Sequence, residues 1–222
     1  FTKTKLSPMK KITLYLSLLC FLSVKSQTDF GLWSNIAVEK EISKKMEIQL
    51  EEELRFNQNV GRLNSLLTEA GFKYKINKYY SLGASYRFTY YTENRFGNRF
   101  TLSNQVKYKI EDFTLNYRLN FQTDFSTKDP VEYKIRNKFG VDYKINKRWE
   151  IGVSGELFYS FYYNRNRFDR YRLAYGVDYS FKKRHKLSAS LMFQQEFNVA
   201  NPESDVILAF KYKYSLKNKK KK

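Results

Sequence analysis

Two sets of side chains in this 222-residue sequence could do chemistry. The first is the single histidine, His185, which directly follows Arg184 in a basic stretch. A serine hydrolase needs a histidine base with a carboxylate to orient it, and a metal site needs several ligands at a regular spacing. Neither pattern surrounds His185. The sequence therefore predicts no catalytic residue, no metal site and no cofactor, and it predicts that His185 is a solvated turn residue.

The second set consists of charged side chains that alternate with apolar ones. Its chemistry would be the attraction of charged solutes, because a face lined mainly by arginine favours anions in a narrow channel. Glu51 and Lys138 follow the same alternation. The main candidates for such a face are Glu53, Arg55, Arg87, Arg118, Arg136, Glu156, Arg172 and Glu196.

The elements that would position these residues are β-strands. Apolar side chains occupy every second position in 80–90 and again in 113–121, and polar side chains fill the positions between them. A period of two predicts strands that have one apolar and one polar face.

An internal repeat extends this pattern along the chain. Similar segments begin at residues 38, 72, 106, 141, 177 and 210. A period near 34 residues also occurs in helical repeat proteins. The alternation within each repeat nevertheless favours strands over helices.

The strands are longer than those of most soluble sheets, and about 9 to 11 tilted residues suffice to cross a bilayer. Short connections alternate with longer polar ones, such as 57–62, 92–99 and 125–132. These properties predict an all-β, up-and-down antiparallel transmembrane β-barrel. Candidate strands begin near residues 30, 46, 63, 79, 99, 113, 132, 149, 170, 185 and 205. Because bacterial barrels normally have an even number of strands, one of these is expected to be miscounted, and the prediction is 10 to 12.

Aromatic residues near the strand ends, such as Tyr79, Trp149 and Phe161, are expected to form two girdles at the membrane interfaces. The alternative is a soluble lipocalin-like barrel that binds a ligand, in which the apolar face would point inward.

The chain ends predict export. Met9 is followed by Lys10, Lys11 and an apolar run, which is typical of a signal peptide over 9–26, with 1–8 lying upstream of the natural start. The only cysteine, Cys20, lies inside that segment. Ten of the 41 basic residues are lysines in 1–26 and in a basic tail, 217–222, so the net charge of +19 is a weak argument for a nucleic-acid partner and none is predicted.

The chain resembles a Bacteroidota secreted family known only as domain of unknown function 2490. The resemblance is carried by Asp29 to Trp33, by Glu51 to Phe56 and by the Tyr-Lys-Ile-Asn-Lys turns at 74–78 and 143–147. It covers about 27–216. It implies an outer-membrane barrel without an established activity and transfers no site residues.

One position breaks the alternation on the lipid side. Glu52 lies between Leu50 and Leu54. One interpretation is that Ser34, Glu52 and Thr68 form a polar notch that contacts a membrane or periplasmic protein. The other is a β-bulge that turns Glu52 inward.

The sequence thus predicts a single barrel over 27–216 in the outer membrane of a Gram-negative bacterium, in contact with its lipid. Two uses remain open, a narrow solute pore with mild anion preference and a filled barrel that acts as a structural or interaction protein. An outer-membrane lipid hydrolase is disfavoured, because the candidate strands place His185 at the short-turn end.

Overall fold

The structure is a computed structural model that describes residues 28–126, 130–161, 166–182 and 184–216. The predicted upstream segment 1–8, the predicted signal peptide 9–26 with Cys20, and the basic tail 217–222 lie outside these residues.

The described chain folds into eleven strands of 12 to 16 residues. Their bounds are β1 Thr28–Glu41, β2 Met46–Asn57, β3 Arg62–Lys75, β4 Tyr80–Tyr91, β5 Arg95–Ile110, β6 Phe113–Ser126, β7 Glu132–Lys144, β8 Trp149–Phe161, β9 Arg167–Phe181, β10 His185–Glu196 and β11 Ser204–Leu216.

All eleven strands belong to one closed barrel, in which each strand pairs with its neighbours in sequence and β1 pairs with β11. Consecutive strands are antiparallel, whereas β1 and β11 are parallel, in register from Thr28 with Ser204 to Lys40 with Leu216. An odd number of alternating strands requires this, because the first and last strands then run in the same direction. Eleven strands confirm the prediction of 10 to 12, whereas the expectation that one of the eleven candidates lay outside the wall or was miscounted is wrong. A continuous parallel ladder closes the sheet without removing a strand.

The connections define two ends of the barrel. Of the described residues, the turn rim comprises 42–45, 76–79, 111–112, 145–148, 182 and 184, and the loop rim comprises 58–61, 92–94, 130–131, 166 and 197–203. The two rims differ less in connection length than predicted. The predicted loop over 92–99 is a three-residue connection, because β5 already begins at Arg95 and its backbone pairs with Tyr91.

Side chains within the turns stabilise the turn rim. The Asn77 side-chain oxygen accepts hydrogen bonds from the backbone N–H groups of Tyr79 and Tyr80, both at 2.8 Å. Asn146 does the same for Arg148 and Trp149. Asparagine favours such turns because its short side chain satisfies backbone donors that no strand can reach. The repeated Ile-Asn-Lys sequence is therefore a repeated turn.

The barrel is apolar on the outside and polar on the inside, the reverse of a soluble barrel. Large apolar side chains such as Ile36, Leu102 and Phe139 are exposed on the outer surface. The inner face is mostly polar, and the few buried apolar side chains, including Ala37 and Leu67, lie on it. This orientation is opposite to that required by the lipocalin-like alternative. Among the described residues, no helix is long and apolar enough to span a membrane.

Aromatic rings form a belt on the outer face at the turn rim. Trp149 lies 4.6 Å from Tyr179, and Phe181 lies 5.0 Å from His185, measured between ring centroids. The His185 ring also contacts Tyr214, and its Nδ1 lies 2.7 Å from the Tyr212 hydroxyl. His185 is therefore a member of this aromatic belt and not the solvated turn residue that the sequence predicted.

Candidate functional site

The lumen is the candidate functional site, because the charged side chains of the barrel wall meet there. The structure places all eight predicted lumen residues on the inner face, along with Glu51 and Lys138. They do not form one cluster. Each of the following appears in an ion pair or as part of a cavity wall inside the barrel: Glu53, Arg55, Arg87, Arg118, Arg136, Glu156, Arg172 and Glu196.

A cluster that we call the plug fills one side of the lumen. It consists of Trp33, Arg136, Glu156, Phe158 and Arg172. The Glu156 side chain is only 3% exposed and lies 2.7 Å from Arg136 and 3.5 Å from Arg172, measured between nitrogen and oxygen atoms. Two cations around one buried carboxylate compensate for the cost of removing that carboxylate from water.

Aromatic rings hold the guanidinium groups of the plug. The Arg136 guanidinium lies 4.8 Å from the centre of the Phe158 ring, and that of Arg172 lies 5.3 Å from the centre of the Trp33 ring. Arg172 is on β9 and Trp33 is on β1, strands that do not pair with each other. This cation–π contact therefore crosses the lumen and narrows it.

Ion pairs extend from the plug along β2 and β11. Arg55 pairs with Glu53 at 2.6 Å and lies 3.9 Å over the Trp33 ring. Lys211 pairs with Glu51 at 2.5 Å across β1. Opposite charges therefore compensate each other on this part of the lumen wall.

The other side of the lumen, along β3 to β6, is open. Small inward side chains such as Gly71, Gly83, Ser85 and Ser103 leave a central cavity of about 400 Å³. A turn-side cavity of about 300 Å³ adjoins it, and Gln105 and Arg118 line both. A loop-side cavity of about 120 Å³ is also adjacent, and shares Arg87 with the central one.

Arginines line the cavities where they adjoin. Arg87 pairs with Glu69 at 2.6 Å, and Arg99, which lines the loop-side cavity, forms a bidentate pair with Asp124. In contrast, Arg118 forms no ion pair with any described residue. A solute that moves between adjacent cavities therefore meets Arg87 or Arg118, and this arrangement favours negative charge.

The lipid-side residues Ser34, Glu52 and Thr68 lie together on the outer face. Glu52 is exposed and points outward, and the Thr68 hydroxyl donates a hydrogen bond to its carboxylate at 2.9 Å. Ser34 lies diagonal to Glu52, opposite Leu54 in the β1·β2 ladder. The interpretation that a bulge turns Glu52 inward is wrong, because the irregularity of β2 falls between Arg55 and Phe56 and leaves the alternation at Glu52 intact.

Sequence reasoning missed several residues of the lumen. Trp33 and Phe158 were not predicted to lie in the lumen, although their parity with Asn35 and Glu156 places them inside. Glu69 and Asp124, the partners of Arg87 and Arg99, also follow the alternation. Consistent use of the parity of each strand would have found all four residues.

The described residues contain no group of three histidine, cysteine or carboxylate side chains that could hold a metal ion. His185 contacts aromatic rings and a tyrosine hydroxyl.

A comparison with protein families finds that residues 30–205 match the family described as "Protein of unknown function (DUF2490)". No curated protein matches the sequence.

Solved structures share the barrel fold. A "Bacterial polysaccharide outer membrane secretin" is 14% identical with a TM-score of 0.55 over 75% of this chain, which spans only 63% of that chain. The "KdgM porin" is 17% identical with a TM-score of 0.46, over 70% of this chain and 80% of that one. A "NanC porin" structure is 13% identical with a TM-score of 0.49, over 74% and 85% respectively. At these identities the likeness concerns the fold alone.

Proposed function

The chain belongs to the family of unknown function DUF2490, and we propose that it forms a narrow, water-filled pore with a mild preference for anions in an outer membrane. The observation that carries the proposal is a set of three adjacent cavities inside the barrel, with Arg87 lining both the loop-side and the central cavity and Arg118 lining both the central and the turn-side cavity. The role is non-catalytic.

The wall of this route supports a pore. Gly83, Ser85 and Ser103 project little into the lumen, and their backbones remain within a regular ladder. Hydroxyl groups along the wall can replace part of the hydration shell of a solute. On the opposite side the plug restricts the cross-section, so only small solutes pass.

The outer surface supports the membrane location. Exposed apolar side chains surround the wall, and aromatic rings gather on the outer face at both rims, for example Trp149 with Tyr179 and Tyr159 with Phe168. Such girdles are typical of membrane barrels. Export would use the segment 9–26 as a removable signal, and mass spectrometry of the mature chain should then find Gln27 at its start. Membrane fractionation and heat-modifiable gel migration test the location.

Cysteine accessibility in a planar bilayer tests the pore. Residues 27–222 contain no cysteine, so a Ser103→Cys variant without the leader has one thiol, in the central cavity. A negatively charged thiosulfonate should reduce its current, and should react faster than a positively charged one because arginines surround the route.

The matched control is Ala37→Cys. This position is also on the inner face but is 0% exposed, between Glu51 and Lys213 in the β-ladders. Its current should not respond to either reagent. Equal responses at positions 37 and 103, or none at 103, would contradict the proposed route.

We also propose that Ser34, Glu52 and Thr68 contact a membrane or periplasmic protein. A carboxylate on lipid is unfavourable, and one hydrogen bond from Thr68 replaces only part of its hydration. A photo-crosslinking residue at position 52 should capture protein. Adducts with lipid alone would contradict the contact, and a probe at Leu102, on the outer face of the distant strand β5, serves as the control.

A further inference from the structure

Three cations at the turn-side cavity have no carboxylate partner. Within the described ranges, Lys107, Arg118 and Lys138 form no ion pair. Other lumen cations do: Lys186 lies 2.7 Å from Asp178 and Lys134 lies 2.5 Å from Glu132. The absence of a carboxylate partner is therefore not general to the cations of the lumen.

The β-ladders force these three cations together. Arg118 is directly opposite Lys138 in the β6·β7 ladder, and Lys107 is opposite Asn116, one inward position nearer the turn rim. Side chains at directly opposite positions have Cβ atoms about 4.5–5.5 Å apart, and like charges there are destabilising. The nearest carboxylate to Lys138 in the ladder is Glu156, which already pairs with two arginines of the plug.

The cavity beside these cations has room for a ligand. The turn-side cavity of about 300 Å³ is lined on the far side by small residues, among them Gly152, Ser154 and Ser190. A Cβ atom at position 152 would lie 2.3 Å from Oδ1 of Asp142, so any larger residue there would displace the Asp142 carboxylate. The two serine hydroxyls can donate hydrogen bonds to an oxyanion.

Two carboxylates also line the cavity, and they limit its charge. Asp178 pairs with Lys186, so it is already compensated. Asp142 accepts a hydrogen bond from the Asn116 side chain and has no cationic partner within 4.0 Å among the described residues. Three cations and one uncompensated carboxylate leave two positive charges, which match a dianion better than a monovalent one.

We propose that the turn-side cavity binds inorganic phosphate as hydrogen phosphate. Arg118 presents a planar fork that suits two phosphate oxygens, and Lys107 and Lys138 add two point charges. Asp142 selects the protonated anion, because the P–OH group of hydrogen phosphate can donate a hydrogen bond to a carboxylate, whereas sulfate has no proton to donate at neutral pH. The site lies on the route of the proposed pore and rests on that function, since solutes reach it through the lumen.

The site is tested by isothermal titration calorimetry, with inorganic phosphate and then sulfate as the titrant. The barrel is kept in detergent at pH 7.5 and low ionic strength, in a buffer that contains no phosphate. Saturable binding of phosphate with a stoichiometry of one is expected, with sulfate weaker by at least about tenfold, since hydrogen bonds to charged groups contribute about 1.5–3 kcal/mol. No saturable binding, or equal affinity for sulfate, would overturn the proposal.

Two matched variants on β7 distinguish phosphate binding at the turn-side cavity from a general electrostatic attraction of anions to the lumen. Lys138→Gln and Lys134→Gln each remove one positive charge from the inner face of β7, but only Lys138 lines the cavity. Lys138→Gln should weaken phosphate binding about tenfold, and Lys134→Gln by less than about twofold. Equal weakening would show diffuse electrostatics and no site. Lys107→Gln repeats the test if Lys138→Gln does not fold.

The proposed pore and the proposed phosphate site can be contradicted independently of each other. Calorimetry needs no ion flow, so saturable binding by a barrel that does not conduct supports the site and contradicts the pore. Conductance without saturable phosphate binding supports the pore and contradicts the site.

Discussion

The two sides of the lumen use the same residue types differently. In the plug, Glu156 is enclosed between Arg136 and Arg172, and aromatic rings cover the guanidinium groups. Along β3 to β6, small residues line cavities, and Arg118 faces water without a carboxylate partner in the described chain. Charged side chains inside a barrel can therefore close the lumen, where each cation pairs with a carboxylate, or attract solutes, where a cation has no such partner.

The largest expected effect is on stability, at the plug. Glu156→Gln leaves Arg136 and Arg172 buried without a carboxylate, and removal of one partner from a buried pair costs about 3–5 kcal/mol. Urea unfolding in detergent micelles, followed by tryptophan fluorescence, measures the change. Glu69→Gln breaks the more exposed pair with Arg87 and should cost about 1 kcal/mol. Equal losses of unfolding free energy in the two variants would contradict the distinction between the plug and the open side of the lumen.

The plug should also limit conductance. Trp33→Ala removes the ring that Arg55 and Arg172 contact from different strands, so the lumen widens and single-channel conductance should rise several-fold. Trp149→Ala is the control, because that ring lies on the outer face at the turn rim and is 43% exposed. Unchanged conductance in Trp33→Ala would mean that the plug does not restrict flow.

On the open side, the expected effect is on selectivity and not on stability. Arg118→Gln should lower the anion-to-cation permeability ratio about twofold, while the free energy of unfolding changes by no more than about 0.5 kcal/mol, because no ion pair with a described residue is lost. Reversal potentials and urea unfolding measure the two quantities. Arg172→Gln should do the opposite and lose stability. A large loss of stability in Arg118→Gln would show that this residue also holds the barrel together.

The smallest effect is expected on the outer face. Glu52→Leu replaces an outward carboxylate with an apolar side chain and should stabilise the isolated barrel in lipid by about 1 kcal/mol. Unfolding in lipid vesicles measures this. A matched Thr68→Val change removes the hydrogen-bond donor without removing charge. Destabilisation by Glu52→Leu would indicate that Glu52 supports the fold, which argues against a surface kept for a partner.

Much of the fold could be predicted because strand alternation reports directly on the two faces of a sheet. All eleven candidate strands exist, with starts close to those in the sequence pattern, apart from β5. The parallel closure of β1 on β11 was not predicted, because the even strand numbers normal in bacterial barrels argued against the count of eleven that requires it.

The interior was harder to predict than the wall. Alternation places Arg118 and Arg136 on the same face, but it does not say that one faces open water and the other meets Glu156. That difference arises from contacts across the lumen, such as Trp33 with Arg172, between strands far apart in sequence. His185 shows the same limit, since its aromatic neighbours come from β9 and β11.

The reversal potential of the purified protein in a planar bilayer, under a potassium chloride gradient, tests the central claim most directly. We expect a conducting barrel whose reversal potential has the sign of chloride selectivity, and a shift toward zero in Arg118→Gln. A barrel that conducts with cation selectivity, or one that folds into the bilayer and carries no current, would contradict an arginine-lined pore along β3 to β6.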